Sequence, residues 1–200
     1  MGVGESARCA VRVVGVGSPH GNDRAGWLVA ERLAAEPGWD ATDGVEVTSA
    51  GDPLRLVSLI DGCSRLIVVD ACRSDRPAGT VVRTTWAEVR RGLAGAPGAD
   101  AGPSSHGLGI VEALGLAEAL GRLPDPSAVA LVGIEAGDDL ESDASSVIFA
   151  PVSEPSTAVR SAVSAACQLV RELVALGEDP GDRVAPGCTG GMVVEAPSLS

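Results

Sequence analysis

One stretch near the start constrains the chain most: Val11-Arg-Val-Val-Gly15-Val-Gly17-Ser-Pro-His20-Gly21-Asn-Asp23-Arg-Ala-Gly26-Trp-Leu-Val-Ala-Glu-Arg-Leu33. It opens as an apolar, β-branched run interrupted only by Arg12, the pattern of a buried strand. Gly15, Gly17, Pro19 and Gly21 then supply the conformational freedom and rigidity of a tight loop. Trp27, Leu28 and Leu33, with Ala30 between them, return at helical spacing. A strand–loop–helix unit of this kind places its loop at the carboxyl edge of a parallel sheet, where open α/β proteins bind their ligands. The loop carries His20 and Asp23.

The remaining chain repeats the alternation. Val45 to Ser49 alternates and predicts a second, edge-like strand. Asp52 followed by Pro53 predicts the capped start of a helix with Leu54, Val57, Leu59 and Ile60 on its apolar face. Leu66-Ile-Val-Val predicts a central parallel strand buried on both faces, ending in Asp70. Gly79 to Thr85 predicts a strand that follows too soon for a parallel crossover, so it runs antiparallel to the third. Residues 92–105, rich in Gly, Ala and Pro, predict a flexible loop that delivers the chain to His106. Leu108 to Leu120 predicts a helix with Leu108, Val111, Leu114 and Leu120 inward. Ala128 to Ile134 predicts the last core strand, ending at Glu135. Ser156 to Leu176 predicts a long helix with Val159, Val163, Ala166, Leu169, Val170 and Leu173 facing the core.

These elements describe a three-layer α/β/α sandwich around a mostly parallel five-stranded sheet with one antiparallel strand. Two hundred residues, 45% of them hydrophobic, suffice for one domain with a real core. That domain is expected over 1–176. Residues 177–200 lack periodicity and are expected to form a disordered tail.

A net charge of −12, with no basic cluster, speaks against nucleic acid and anionic membrane as partners. The apolar runs are strand-length, too short to span a bilayer. The five cysteines form no C-x-x-C pair, which suits reduced thiols in a cytoplasm. A cytoplasmic monomer is the expectation.

In a doubly wound sheet of order 2-1-3 the loop after the first strand and the end of the third face one crevice. Asp23 and Asp70 would meet there, and His106 follows a loop that can reach it. Singly each has an ordinary explanation: Asp23 a helix cap, Asp70 a turn former, His106 a structural histidine. Together, two carboxylates and one imidazole suit a divalent metal such as nickel, zinc, iron or manganese, with coordination positions left open.

Four segments carry a resemblance: Gly15-Val-Gly-Ser-Pro-His-Gly-Asn-Asp23-Arg-Ala-Gly26, Ile67-Val-Val-Asp70-Ala71, Ser104-Ser-His106-Gly-Leu-Gly109 and Val132-Gly-Ile134-Glu135. In order and spacing they resemble the hydrogenase maturation endopeptidases, over a span from Val11 to about Leu176. The resemblance implies an endopeptidase that trims the C-terminal extension of a nickel–iron hydrogenase large-subunit precursor. It implies that Asp23, Asp70 and His106 are the metal ligands and that they complete the coordination of nickel already placed in the precursor. The metal would position the scissile region, with a polarised carbonyl or an activated water as the means of cleavage. The chain departs from the family pattern at Ser18, at Asn22 (where a second acid is usual), at Arg24 and in a loop one residue shorter.

Three other readings are open to the sequence. Peptidyl-tRNA hydrolases share a similar glycine turn, but the match ends there and the acidity disfavours tRNA. A dinucleotide-binding module would need its third glycine one residue earlier than Gly21. A homologue that binds the precursor without cutting it fits the departures at Asn22 and Arg24. No G-x-S-x-G or H-E-x-x-H is present, so a serine-hydrolase or zincin site has no footing.

Overall fold

The computed structural model describes residues 10–39, 44–74, 76–95, 109–137, 153–176 and 193–194. Its sheet holds β1 (Val11–Val16), β2 (Val45–Ala50), β3 (Arg65–Cys72), β4 (Val81–Thr85), β5 (Val129–Glu135) and β6 (Val193–Val194), in the order β2-β1-β3-β5-β4-β6. The first four in that order are parallel, and β4 runs against its partner β5. The five expected strands are therefore present, with one antiparallel. The partner of β4 is β5, which inserts between β3 and β4.

Alternation along the central strands sends side chains to two cores. Val11, Val13, Ile67, Val69, Val132 and Ile134 pack beneath α1 (Ala25–Ala34) and α5 (Thr157–Ala175). Val14, Val16, Leu66, Val68 and Val129 pack beneath α2 (Leu56–Leu59), α3 (Trp86–Gly95) and α4 (Ile110–Ala119). This is the three-layer sandwich. The charge that interrupts β1 is accounted for: Arg12 pairs at 2.6 Å with Glu46, its register partner on β2.

Local chemistry explains most element ends. Asp52 accepts from Leu54 N–H at 2.8 Å, and Ser156 caps α5 by accepting from Val159 N–H at 3.3 Å. All six residues expected to face inward on α5 are buried. On α1 the buried face is Ala25, Gly26, Val29, Ala30 and Leu33, while Trp27 is half-buried and donates to Ala50 C=O at 3.0 Å.

Several expectations need correction; at the second helix Leu54, expected inward, is exposed and Leu56 is buried instead. Residues 86–95, partly assigned to a flexible loop, form α3. Its start is a capping box: Glu88 accepts from Thr85 N–H at 2.8 Å, and Thr85 Oγ1 from Glu88 N–H at 3.3 Å. On α4 the inward face is Ala113, Leu114 and Ala117, whereas Val111 and Leu120 are exposed. Within the expected tail, Val194 and Val193 pair with Val81 and Val82 on the outer edge of β4. The rest of 177–200 lies outside the described residues, as do 96–108. No helix among the described residues is long and apolar enough to cross a membrane.

Two helical glycines give a test of the packing. A Cβ on Gly26 would stand 2.1 Å from Val16 O and 2.4 Å from Val69 O, whereas one on Gly115 of α4 would meet nothing within 4 Å. Helix propensity alone favours alanine by about 1 kcal/mol at either place. Gly115→Ala should therefore raise stability by up to about that amount. Gly26→Ala should lower it by roughly 3 kcal/mol or more, because two backbone carbonyls must move. Urea unfolding of both variants reads the opposite signs.

Candidate functional site

The site edge is built by the contact between α1 and the ends of two strands. Because Gly26 lacks a side chain, the first turn of α1 presses directly on the carbonyls of Val16 and Val69. Asp23 lies three residues before Gly26, and Asp70 directly follows Val69. The loop between is drawn tight as well: Ser18 N–H donates to Asp23 C=O at 3.3 Å, and a Cβ on Gly17 would stand 2.0 Å from that oxygen. Residues 21–24 form a single 3-10 turn for which His20 is the N-cap.

Asp23 caps neither that turn nor α1; Arg24 occupies the N-cap position of α1. Its ordinary explanation as a helix cap therefore fails. Asp70 sits within β3 opposite Gly133 of β5, so it is no turn former either. Burial pushes the Asp70 carboxyl well above the usual carboxylate range; the nearby charge of Asp23 raises it further, and a hydrogen bond from the Ala71 backbone opposes the rise. Asp23 and Asp70 thus stand on the same carboxyl edge, near enough for the charge of one to act on the other.

His106 lies outside the described residues. The helix it leads into is described. α4 feeds β5 at the amino edge of the sheet, so its N-terminus points towards the carboxyl edge. Trp86 Nε1 and Arg90 both hold Glu118 of that helix, at 3.1 and 2.6 Å. Pleating places Asp70 on the α4 side of the sheet, with Leu66 and Val68. His20 is half-buried, and its backbone N–H approaches Ser18 Oγ at 3.4 Å.

Two residues that sequence reasoning left without a role complete the edge. Glu135 is fully buried at the end of β5, where it accepts from Ser74 Oγ and, at 3.1 Å, from Gly137 N–H. The family-like Val132-Gly-Ile-Glu135 segment was the only pointer to it. Its register partner Cys72 lies over Gly133, where an added Cβ would come within 2.7 Å of the thiol sulfur. Burial pushes the Cys72 thiol up to about 12, helped by Glu135 and Asp70 and opposed by Arg76. A thiol held that high is neutral near pH 7 and supplies no nucleophile. Asn22 is the second residue: its buried side chain hydrogen-bonds across the fold to Ala136 and Ser156.

Among the described residues no group of three histidine, cysteine or acidic side chains is arranged to hold a metal. The described part of the expected ligand set is the carboxylate pair alone. That pair does fit a cation. Burial and the charge of Asp23 both oppose the charge on Asp70, and a divalent ion is the group that reverses such a penalty. A surface groove of about 420 Å³ lies elsewhere, lined by Leu28, Glu31, Arg32, Arg160 and Val163 on α1 and α5. It contains none of the site residues.

The model of a family described as hydrogenase maturation protease matches residues 28–169. The chain belongs to the hydrogenase maturation protease family. It is an endopeptidase by that membership. The matched span includes Asp70 and His106 and begins just beyond the loop that carries Asp23. Solved structures of the same kind share the fold. The hydrogenase maturating endopeptidase HybD from Escherichia coli is 20% identical with a TM-score of 0.60, over 84% of this chain and 93% of that one. A second endopeptidase from Escherichia coli, solved in solution, is 22% identical with a TM-score of 0.63 over the same shares. The [NiFe] hydrogenase maturation protease HycI from Thermococcus kodakarensis is 19% identical with a TM-score of 0.56, over 85% and 95%. No curated protein matches the chain.

The carboxylate pair of this protease has a thermodynamic signature. The folded-state value of Asp70 stands above its ordinary 3.8, so the folded state holds that proton more tightly than the unfolded state does. Stability attributable to Asp70 is then greatest below that ordinary value. It falls as pH rises through the window up to the raised value, and stays lowered above it. Asp70→Asn, which cannot ionise, should make the metal-free protein more stable at pH 7 and leave it unchanged near pH 3. Melting curves of both proteins across that range check the sign.

Proposed function

We propose that this protease removes the C-terminal extension of a nickel–iron hydrogenase large-subunit precursor and recognises the nickel already inserted there. Asp23, Asp70 and His106 are the ligands it offers. The observation that carries the reading is that Asp23 and the buried Asp70 stand on one carboxyl edge, near enough for the charge of Asp23 to act on Asp70, with neither acting as a cap or turn. Carboxylate and imidazole donors suit a divalent first-row metal, and a three-ligand set leaves positions for the precursor's own groups.

In this reading nickel arrives as part of the substrate. It supplies a fixed positive charge and Lewis acidity at the edge. The chain's own residues do the remaining work. Asp23 and Asp70 hold the nickel-bearing segment against the ends of β1 and β3. His106 adds an imidazole from the loop that leads into α4. The packed ends of β1, β3 and β5 keep the edge rigid. In this reading the protease works as a monomer in the cytoplasm.

Asp23→Asn, Asp70→Asn and His106→Ala should each reduce processing of nickel-loaded precursor by at least about 100-fold, the upper end of what removal of an outer-sphere partner costs. The Asp23 and Asp70 variants should remain folded, because neither side chain belongs to either apolar core. His20→Ala is the control. It stands in the same loop outside the ligand set and should lose far less. Intact-mass measurement of the precursor reads the result. A folded Asp23, Asp70 or His106 variant with full activity removes that residue from the set.

A further inference from the structure

Asn22 is 2% exposed, and its carboxamide bridges two backbone groups of opposite kind. Nδ2–H donates to Ala136 C=O at 2.8 Å, and Oδ1 accepts from Ser156 N–H at 2.7 Å. A carbonyl only accepts and an amide N–H only donates, so the partners themselves fix which way the amide points. A side chain here must offer one donor and one acceptor at once. An ionised carboxylate cannot, because it has no donor to give Ala136.

The placement of the two partners matters more than their number. Ala136 directly follows β5, and Ser156 is the N-cap of α5. They bracket the 137–155 connection, and Asn22 ties both of its ends to one point. The backbone adds a third tie at the same place, Gly21 N–H to Ser153 C=O at 2.9 Å. The next residue along the chain is Asp23. On its far side the turn is held by the Ser18–Asp23 hydrogen bond and by Gly26 against the strand ends.

We infer that Asn22 is a positioning residue for the site: by clamping both ends of the β5–α5 connection to the 3-10 turn, it sets where the Asp23 carboxylate stands relative to Asp70. This rests on the reading of Asp23 and Asp70 as an acting pair. Without Asn22 the turn keeps its covalent links to β1 and α1 but loses its side-chain ties to β5 and α5. Asp23 is then free to swing away from its partner. The role is local and geometric, and it is separable from the contribution that any buried hydrogen-bonded residue makes to stability.

The test compares Asn22→Ala and Asn22→Asp with Val163→Ala, a core truncation on α5 remote from the edge. Asn22→Asp keeps the acceptor and the shape and loses only the donor. All are purified as full-length protein. Stability is read by urea unfolding, catalysis as kcat and KM on nickel-loaded precursor, and metal capture by NMR titration of the metal-free protein with nickel(II) alone. Both Asn22 variants should lose at least tenfold in kcat and at least threefold in nickel(II) affinity. Val163→Ala should lose stability with both values kept. In an Asp23→Asn background, adding Asn22→Ala should weaken nickel(II) binding no further, because a positioning residue acts through the group it positions. The inference is overturned if the folded Asn22 variants track Val163→Ala in kcat and nickel(II) affinity. It is equally overturned if the two substitutions weaken nickel(II) binding additively. Should Asp23→Asn alone bind nickel(II) and cleave like the wild type, the reading of the acid pair itself fails, an outcome distinct from both.

Discussion

The structure depends on one close approach. The first turn of α1 lies on the carbonyl ends of β1 and β3, at a separation that only a glycine at position 26 permits. That contact sets the depth of the helix on the sheet and the height of the loop before it. It also sets the distance between the two acids, since Asp23 and Asp70 each stand within a few residues of the touching atoms. An added methyl group would do more than fill space. It would lift the helix, loosen the turn at 21–24 and separate the pair that the site is built from.

Around that contact the fold gathers polar groups that a sheet edge ordinarily leaves to solvent. Glu135 is fully buried and bonded to Ser74 and Gly137. Cys72 is held as a neutral thiol over Gly133, and Asn22 is spent on two backbone groups. Asp70 is the exception. Its charge is opposed by burial and by Asp23, and only the Ala71 backbone favours it. A buried polar group is retained when it is satisfied within the fold or when its satisfaction comes from a ligand. Glu135 and Asn22 belong to the first kind. Under the proposed function the Asp23–Asp70 pair belongs to the second, which would make this edge a binding edge.

Local chemistry was legible in the sequence, and long-range pairing was not. The β1–loop–α1 unit, the Asp52 cap and the inward face of α5 follow from periodicity and capping alone. So did the β2-β1-β3 strand order, which puts the Asp23 loop and the Asp70 end of β3 on one edge. The capping box at Thr85 and Glu88 was written in the sequence but hidden by the glycine-rich run that follows it. The inward face of α4 was misplaced because that helix is apolar nearly all round, so periodicity gives no preferred side. The insertion of β5 between β3 and β4, and the pairing of Val193–Val194 with β4, depend on contacts between distant segments. Asn22 is the clearest case. Beside Asp23 it looked like a weakened acid, and its partners lie 114 and 134 residues away. No local pattern reports such bonds.

In the proposed function the acid pair and His106 act on nickel brought by the precursor. The most direct test uses the purified protease with no metal added. Its metal content is measured first, and it is then incubated with nickel-loaded and nickel-free precursor while intact mass is followed. The expected result is substoichiometric metal in the protease and loss of the C-terminal extension from the nickel-loaded precursor only. A full equivalent of tightly held metal, together with equal cleavage of both precursors, would contradict it and identify a self-contained metalloprotease.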